Sequence, residues 1–286
     1  MSGAPALPRG ATDAHVHVFD AARFPFAGDV TYRPQPHECG TVTDLAATLD
    51  SHGVDRVVIV NPTSGYRDDL RCLLDALRRL GERARGVARG PLDVSARDLA
   101  RWKARGVVGF RVDVVGDGLP GGAPALRRLA TRLADADLVL DLQCEGDQLA
   151  DLAPLLVPLP VRVVVDHAGR PVPARGVAQP GFRALLDAVA RGRCWVKLSG
   201  PLRFSRRRPP HADVDRFAAR LLAHGGPGRL VWGSDWPFLR SDRRVDYGPL
   251  LALLERWVPD AAQRRRILVD TPADLFGFPP ARPRRA

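Results

Sequence analysis

The chain is poor in several residue types, and each shortage removes a class of protein. It has four cysteines in 286 residues, Cys39, Cys72, Cys144 and Cys194, none in a CxxC pair and none beside a histidine. That spacing argues against a structural zinc site or a redox motif. Cys144 and Cys194 fall in strand-like runs and read as buried thiols. No charge-free apolar run approaches the ~18 residues a membrane span needs. The opening "MSGAPALPRG" lacks a basic stretch followed by an apolar core, so no secretory signal is read and a cytoplasmic location is expected. Lysine is nearly missing. Of 43 basic residues only Lys103 and Lys197 are lysine, which leaves 41 arginines and a formal charge of +11. Such charge invites a nucleic-acid reading, but no nucleic-acid motif accompanies it. The arginines are spread over the chain, with runs at 206–208 and 264–266, and read as solvated charge that can steer a small anionic substrate.

What is present is a beat. Apolar, β-branched runs recur at 11–19, 56–62, 84–90, 106–114, 138–144, 161–167, 194–200 and 229–235, with helical patterns such as "DDLRCLLDALRRLG" and "GFRALLDAVARG" between them. Eight strands alternating with helices over about 250 residues is the arithmetic of a single α/β domain, a (β/α)8 TIM barrel. A doubly wound sheet is the alternative, but no glycine-rich phosphate loop follows the first run. The expected boundaries are an N-terminal extension at 1–10, the barrel at 11–278 and an Arg/Pro-rich tail at 279–286. The sequence sets no oligomeric state.

Active sites of such barrels lie at the C-terminal ends of the strands. The polar residues there are His15 and His17 in the first run, Asn61 and Ser64 in the second and its loop, and Arg89 in the third. Arg111, Gln143 and His167 follow in the fourth to sixth, Lys197 and Ser199 in the seventh and Asp235 in the eighth. In the first run a period of two puts Asp13, His15 and His17 on one face and Ala14, Val16 and Val18 on the other.

The HxH of the first run, "VDHAGRP" at 165–171, "VKLSG" at 196–200 and "WGSDWP" at 232–237, in this order and at barrel-like spacing, resemble the amidohydrolase superfamily. The resemblance is to its amidohydrolase-2 type branch of pyrone dicarboxylate and sugar-acid lactonases, and it extends to the closing "TPADLFGF". It implies a hydrolase that opens a lactone or comparable ester of a small carboxylate-bearing substrate. Asp235 would activate water, and His15, His17 and His167 would surround the scissile carbonyl. Arg111 and Arg203 match substrate-binding arginines of the branch, and Gln143, Ser64 and Ser199 are further substrate-side candidates. A later arginine of the branch is absent; "VVGDG" stands there with Asp117, so a different anionic lactone stays open.

A binuclear metal centre lacks its bridging residue, since the fourth run reads "GFRVDV" and Gln143 stands where such centres use histidine. The resemblance therefore favours no required cofactor. One Zn²⁺ on His15, His17 and Asp235 is the alternative, three ligands plus water being a workable catalytic set. The rival functions are a zinc-dependent decarboxylase of the same superfamily and, more remotely, a non-catalytic nucleic-acid-binding protein.

Overall fold

The computed structural model describes residues 7–30, 32–116, 118–241 and 245–280. Asp117 and parts of both terminal extensions lie outside the described residues. Eight strands form one all-parallel sheet in sequential order: β1 (Thr12–Val16), β2 (Arg56–Val60), β3 (Ala84–Ala88), β4 (Val107–Asp113), β5 (Val139–Gln143), β6 (Val163–Val165), β7 (Cys194–Leu198) and β8 (Leu230–Trp232). The sheet closes on itself beyond the end of β8. Asp235 N–H donates to His15 O (2.9 Å), and His17 N–H donates to Trp236 O (2.8 Å). The fold is a (β/α)8 barrel, with helices such as Val42–Ser51, Arg71–Leu80 and Pro180–Ala190 on its outside. Thr41 and Ser95 begin two of these helices by accepting the N–H groups of Asp44 and Asp98, which satisfies donors a helix start leaves open.

A parallel sheet covered on both faces needs apolar residues on both. The outer face packs on the helices through residues such as Val57, Ile59, Leu140, Leu142 and Val196. The inner face carries a smaller cluster, Ala14, Val58, Val60, Val87, Val139, Val164 and Val231, floored by Leu275, Phe276 and Phe278 from the C-terminal segment.

The first strand departs from the expected alternation. Its pairing with β2 slips between Asp13 and Val16. Ala14 therefore belongs to the interior, and so does His15. Asp13 instead accepts from Tyr247 Oη (2.8 Å) in the helix Tyr247–Trp257 and from Ser234 N–H (3.0 Å). It does not share the histidines' face; one extra residue in a strand moves every later side chain to the other side.

Candidate active site

The sixth and eighth runs end as strands earlier than their sequence patterns, for a backbone reason. His167 has φ +50°, Ala168 +54° and Arg170 +44°, and Asp235 has φ +65°. These left-handed conformations cost non-glycine residues of order 1–3 kcal/mol each and cluster at functional sites. They end the strands and turn His167 and Asp235 over the mouth. Two glycines make room. A Cβ at Gly200 would lie 2.4 Å from His167 Nδ1, and one at Gly233 would lie 2.6 Å from His15 Cβ.

His15, His17, His167 and Asp235, all buried, come together there. The imidazole of His15 is 5.0 Å from that of His17 and 4.6 Å from that of His167, centroid to centroid. Asp235 Oδ1 lies 3.7 Å from His15 Nε2 and 3.5 Å from His17 Nε2. Neither His15 Nε2 nor Asp235 Oδ1 has a hydrogen-bond partner among the described residues. Asp235 Oδ2 accepts from Arg203 Nε (2.5 Å). His17 Nδ1 donates to Val60 O (2.8 Å), and His167 Nδ1 pairs with Ser199 Oγ (2.8 Å).

Beneath this rim lies a layer the sequence analysis did not assemble. Lys197 is fully buried between Asp141, in a short ion pair, and Asp166 at 3.0 Å. Arg111, 4% exposed, donates to Asp166 Oδ2 (2.8 Å) and has Nε 3.8 Å from Asp141. The guanidinium is thus already charge-paired within the protein. Lys197, taken from its sequence as a strand-end residue, lies below the rim. Asp141 and Asp166 were missed, although each is a lone carboxylate in an otherwise apolar run.

The remaining sequence candidates divide. Gln143 ends β5 and Ser64 sits in the turn after β2, both half-buried. Asn61 Nδ2 donates to Arg67 O (2.7 Å). Arg89 turns aside to an ion pair with Asp68.

Burial and charge set the protonation states. Burial pushes His15 well below the usual imidazole value and takes His167 down to about 3, so both are neutral near pH 7. Burial alone would raise Asp235, but Arg203 and the imidazoles outweigh it and hold the carboxyl well below its ordinary range. Burial likewise opposes charge on Asp166 and Lys197, yet their mutual attraction keeps both ionised. Asp141 is pushed up to about 7 by burial and by Asp166. Among the described residues two groups carry metal-ligating atoms within 4.8 Å of one another: His15, His17 and Asp235, and His15, Asp166 and His167. The second already holds the Lys197 ammonium beside Asp166.

A (β/α)8 barrel with an HxH pair, a third histidine and an aspartate gathered at its C-terminal mouth defines a class of hydrolytic barrel enzymes. The family model described as Amidohydrolase matches residues 12–278, and the chain belongs to that family. It is 34% identical to a 4-sulfomuconolactone hydrolase of Rhizobium radiobacter, over 95% of this chain and 91% of the relative. It is 33% identical to a 2-pyrone-4,6-dicarboxylate hydrolase of Comamonas testosteroni, over 94% and 91%. An apo crystal structure from Agrobacterium tumefaciens superposes with a TM-score of 0.85 at 31% identity, covering 96% of this chain and 98% of that one. Among the described residues no helix is long and apolar enough to cross a membrane.

Proposed function

We propose that the chain opens the lactone ring of a small carboxylate-bearing substrate, with Asp235 as the base that activates water. The observation that carries this reading is Asp235 Oδ1, a buried, ionised and unpartnered oxygen 3.5–3.7 Å from two imidazole nitrogens. A water there gives its proton to Oδ1 as its oxygen attacks the carbonyl carbon. The carbonyl π pair becomes an oxyanion, which needs donors aimed at it. When the carbonyl re-forms, the ring C–O bond breaks. The proton held by Asp235 passes to the departing ring oxygen, leaving a hydroxy acid.

Arg203 fixes the orientation of Asp235 and keeps it ionised, which also weakens it as a base. A substrate carboxylate competes for the Arg203 fork and frees the base at the moment of binding. Gln143 and Ser64 complete the substrate side of this reading, while Arg111, paired with Asp166, and Ser199, paired with His167, support the site from within. The lactone hydrolases among the relatives support the reaction class.

A single divalent cation on His15, His17 and Asp235 would polarise the carbonyl and acidify water. The Lys197 ammonium, 3.2 Å from His15 Nδ1, favours a proton on Nε2 and so disfavours that ligand set.

A panel of anionic lactones followed by acid release, with and without chelator, tests the reading. Turnover unaffected by chelator is expected. Activity lost to chelator and restored by Zn²⁺ overturns the metal-free form. Release of CO₂ in place of ring opening identifies the decarboxylase, and absence of turnover on every lactone overturns the reaction class.

A further inference from the structure

His15 has two ring nitrogens, and their neighbours decide which carries the proton. Nδ1 points into the barrel, 3.1 Å from Asp166 Oδ1 and 3.2 Å from Lys197 Nζ. Nε2 points into the site and has no partner among the described residues. The Lys197 ammonium has three N–H groups and no exposure to water. Three acceptors surround it: Asp141 Oδ2, Asp166 Oδ1 and, if unprotonated, His15 Nδ1.

Suppose Nδ1 carried the imidazole proton. It would donate to Asp166 and leave the third ammonium N–H facing another N–H, and stranding a buried donor costs ~1–3 kcal/mol, more when charged. With the proton on Nε2 all three ammonium donors are satisfied. Asp166 still accepts from Lys197 and, at 2.8 Å, from Arg111. Nε2–H then faces Asp235 as a donor.

We infer that Lys197 is a positioning residue, which donates to Nδ1 and thereby holds His15 as the Nε2–H tautomer. His15 then offers a hydrogen bond to the carbonyl oxygen as it becomes an oxyanion. A nitrogen that bears a proton offers a metal no lone pair, so a metal there must first drive the proton to Nδ1, which weakens the ligand set at its first histidine. His17 is set the opposite way. Its Nδ1–H is committed to the Val60 carbonyl at 2.8 Å, which leaves Nε2 as the acceptor of the uncharged ring. The HxH pair is thus split into one donor and one acceptor by what lies behind each ring. The catalytic role given to the donor rests on the lactone-opening reading; the tautomer does not.

The test is nitrogen–proton correlation NMR of ¹⁵N-histidine-labelled protein, with the His15 signals identified by their loss in His15→Gln. The expected wild-type spectrum shows His15 protonated at Nε2 and bare at Nδ1; a proton on Nδ1 overturns the proposal. The charge-balanced pair Lys197→Met with Asp141→Asn removes the ammonium without stranding its partner. In that variant His15 is expected to switch to Nδ1–H. Zn²⁺ affinity by titration calorimetry should rise at least about tenfold, and kcat should fall about 10- to 100-fold with KM moving far less. A folded variant with unchanged tautomer and unchanged zinc affinity overturns the proposal. If the variant does not fold, the wild-type spectrum still decides. A wild type that opens no lactone yet shows Nε2–H refutes the proposed function and leaves the tautomer standing.

Discussion

In the lower half of the barrel the inward side chains are Ala14, Val58, Val60, Val87, Val139, Val164 and Val231, closed from below by Leu275, Phe276 and Phe278. Two residues further along the same strands stand Asp141 after Val139, Asp166 after Val164 and Lys197 after Trp195. The lower layer stabilises by removing apolar surface from water, at ~1.5–3 kcal/mol for each well-buried aliphatic side chain. The upper layer is costly to bury and survives because each charge meets an opposite one at hydrogen-bond distance. A parallel barrel can place the two side by side because inward positions recur every second residue. Chemistry and stability then sit at different heights of one cylinder.

Four changes test that division. The largest effect is expected for Asp235→Asn, which keeps the shape but removes the base: kcat should fall by at least about two orders of magnitude. Thermal stability should fall as well, because Arg203 and the imidazoles stabilise that charge by more than burial opposes it. Near wild-type turnover would break the comparison at its upper end. Leu275→Ala opens a cavity in the floor and should cost ~2–5 kcal/mol in denaturant unfolding, with turnover per folded molecule unchanged. A matching loss of kcat would show that the two halves are not independent.

Gly200→Ala brings a methyl against the His167 ring at a position with φ +57°. It should lower kcat about tenfold and stability by ~1–2 kcal/mol, an effect on both halves that kinetics and melting measured together would resolve. The smallest effect belongs to Glu38, which ties the loop after β1 to the loop after β8. It accepts from Tyr32 Oη, from Gln35 N–H and from Arg240 N–H, the last at 2.5 Å. Burial opposes its charge, but these donors prevail and hold it below the ordinary glutamate value. A depressed carboxyl contributes stability that is present above its unfolded pKa and lost as pH falls through the folded one. Glu38→Gln should therefore cost ~1 kcal/mol near neutrality. The cost should shrink as pH falls below the ordinary glutamate range in melts taken at several pH values, and an undiminished cost there would refute this account of the loops.

The barrel was legible because its signals are local. An apolar run of strand length, a helical pattern and a polar residue at the run's end can each be read from a few neighbouring residues. His15, His17, His167 and Asp235 followed from such run ends together with motif order, and the structure gathers all four. Asp13 leaves the face that a strict period of two predicts, because the slip in β1 is fixed by pairing with β2 and by the closing contact with Trp236, both remote in sequence.

By itself, then, the sequence determined the strand count, the end of the barrel where the candidate site lies and the residue types available there. Only the tertiary structure decided what those residues do to one another. Asp141 and Asp166 look in sequence like isolated acids, and Lys197 like a strand-end amine. They become a charge-paired layer because the register sets Arg111 opposite Asp141 and closure brings β5, β6 and β7 around one axis. A proton's place on His15 depends on distances of about 3 Å between groups as many as 182 residues apart. No local pattern encodes such a distance, because it is a property of the closed cylinder.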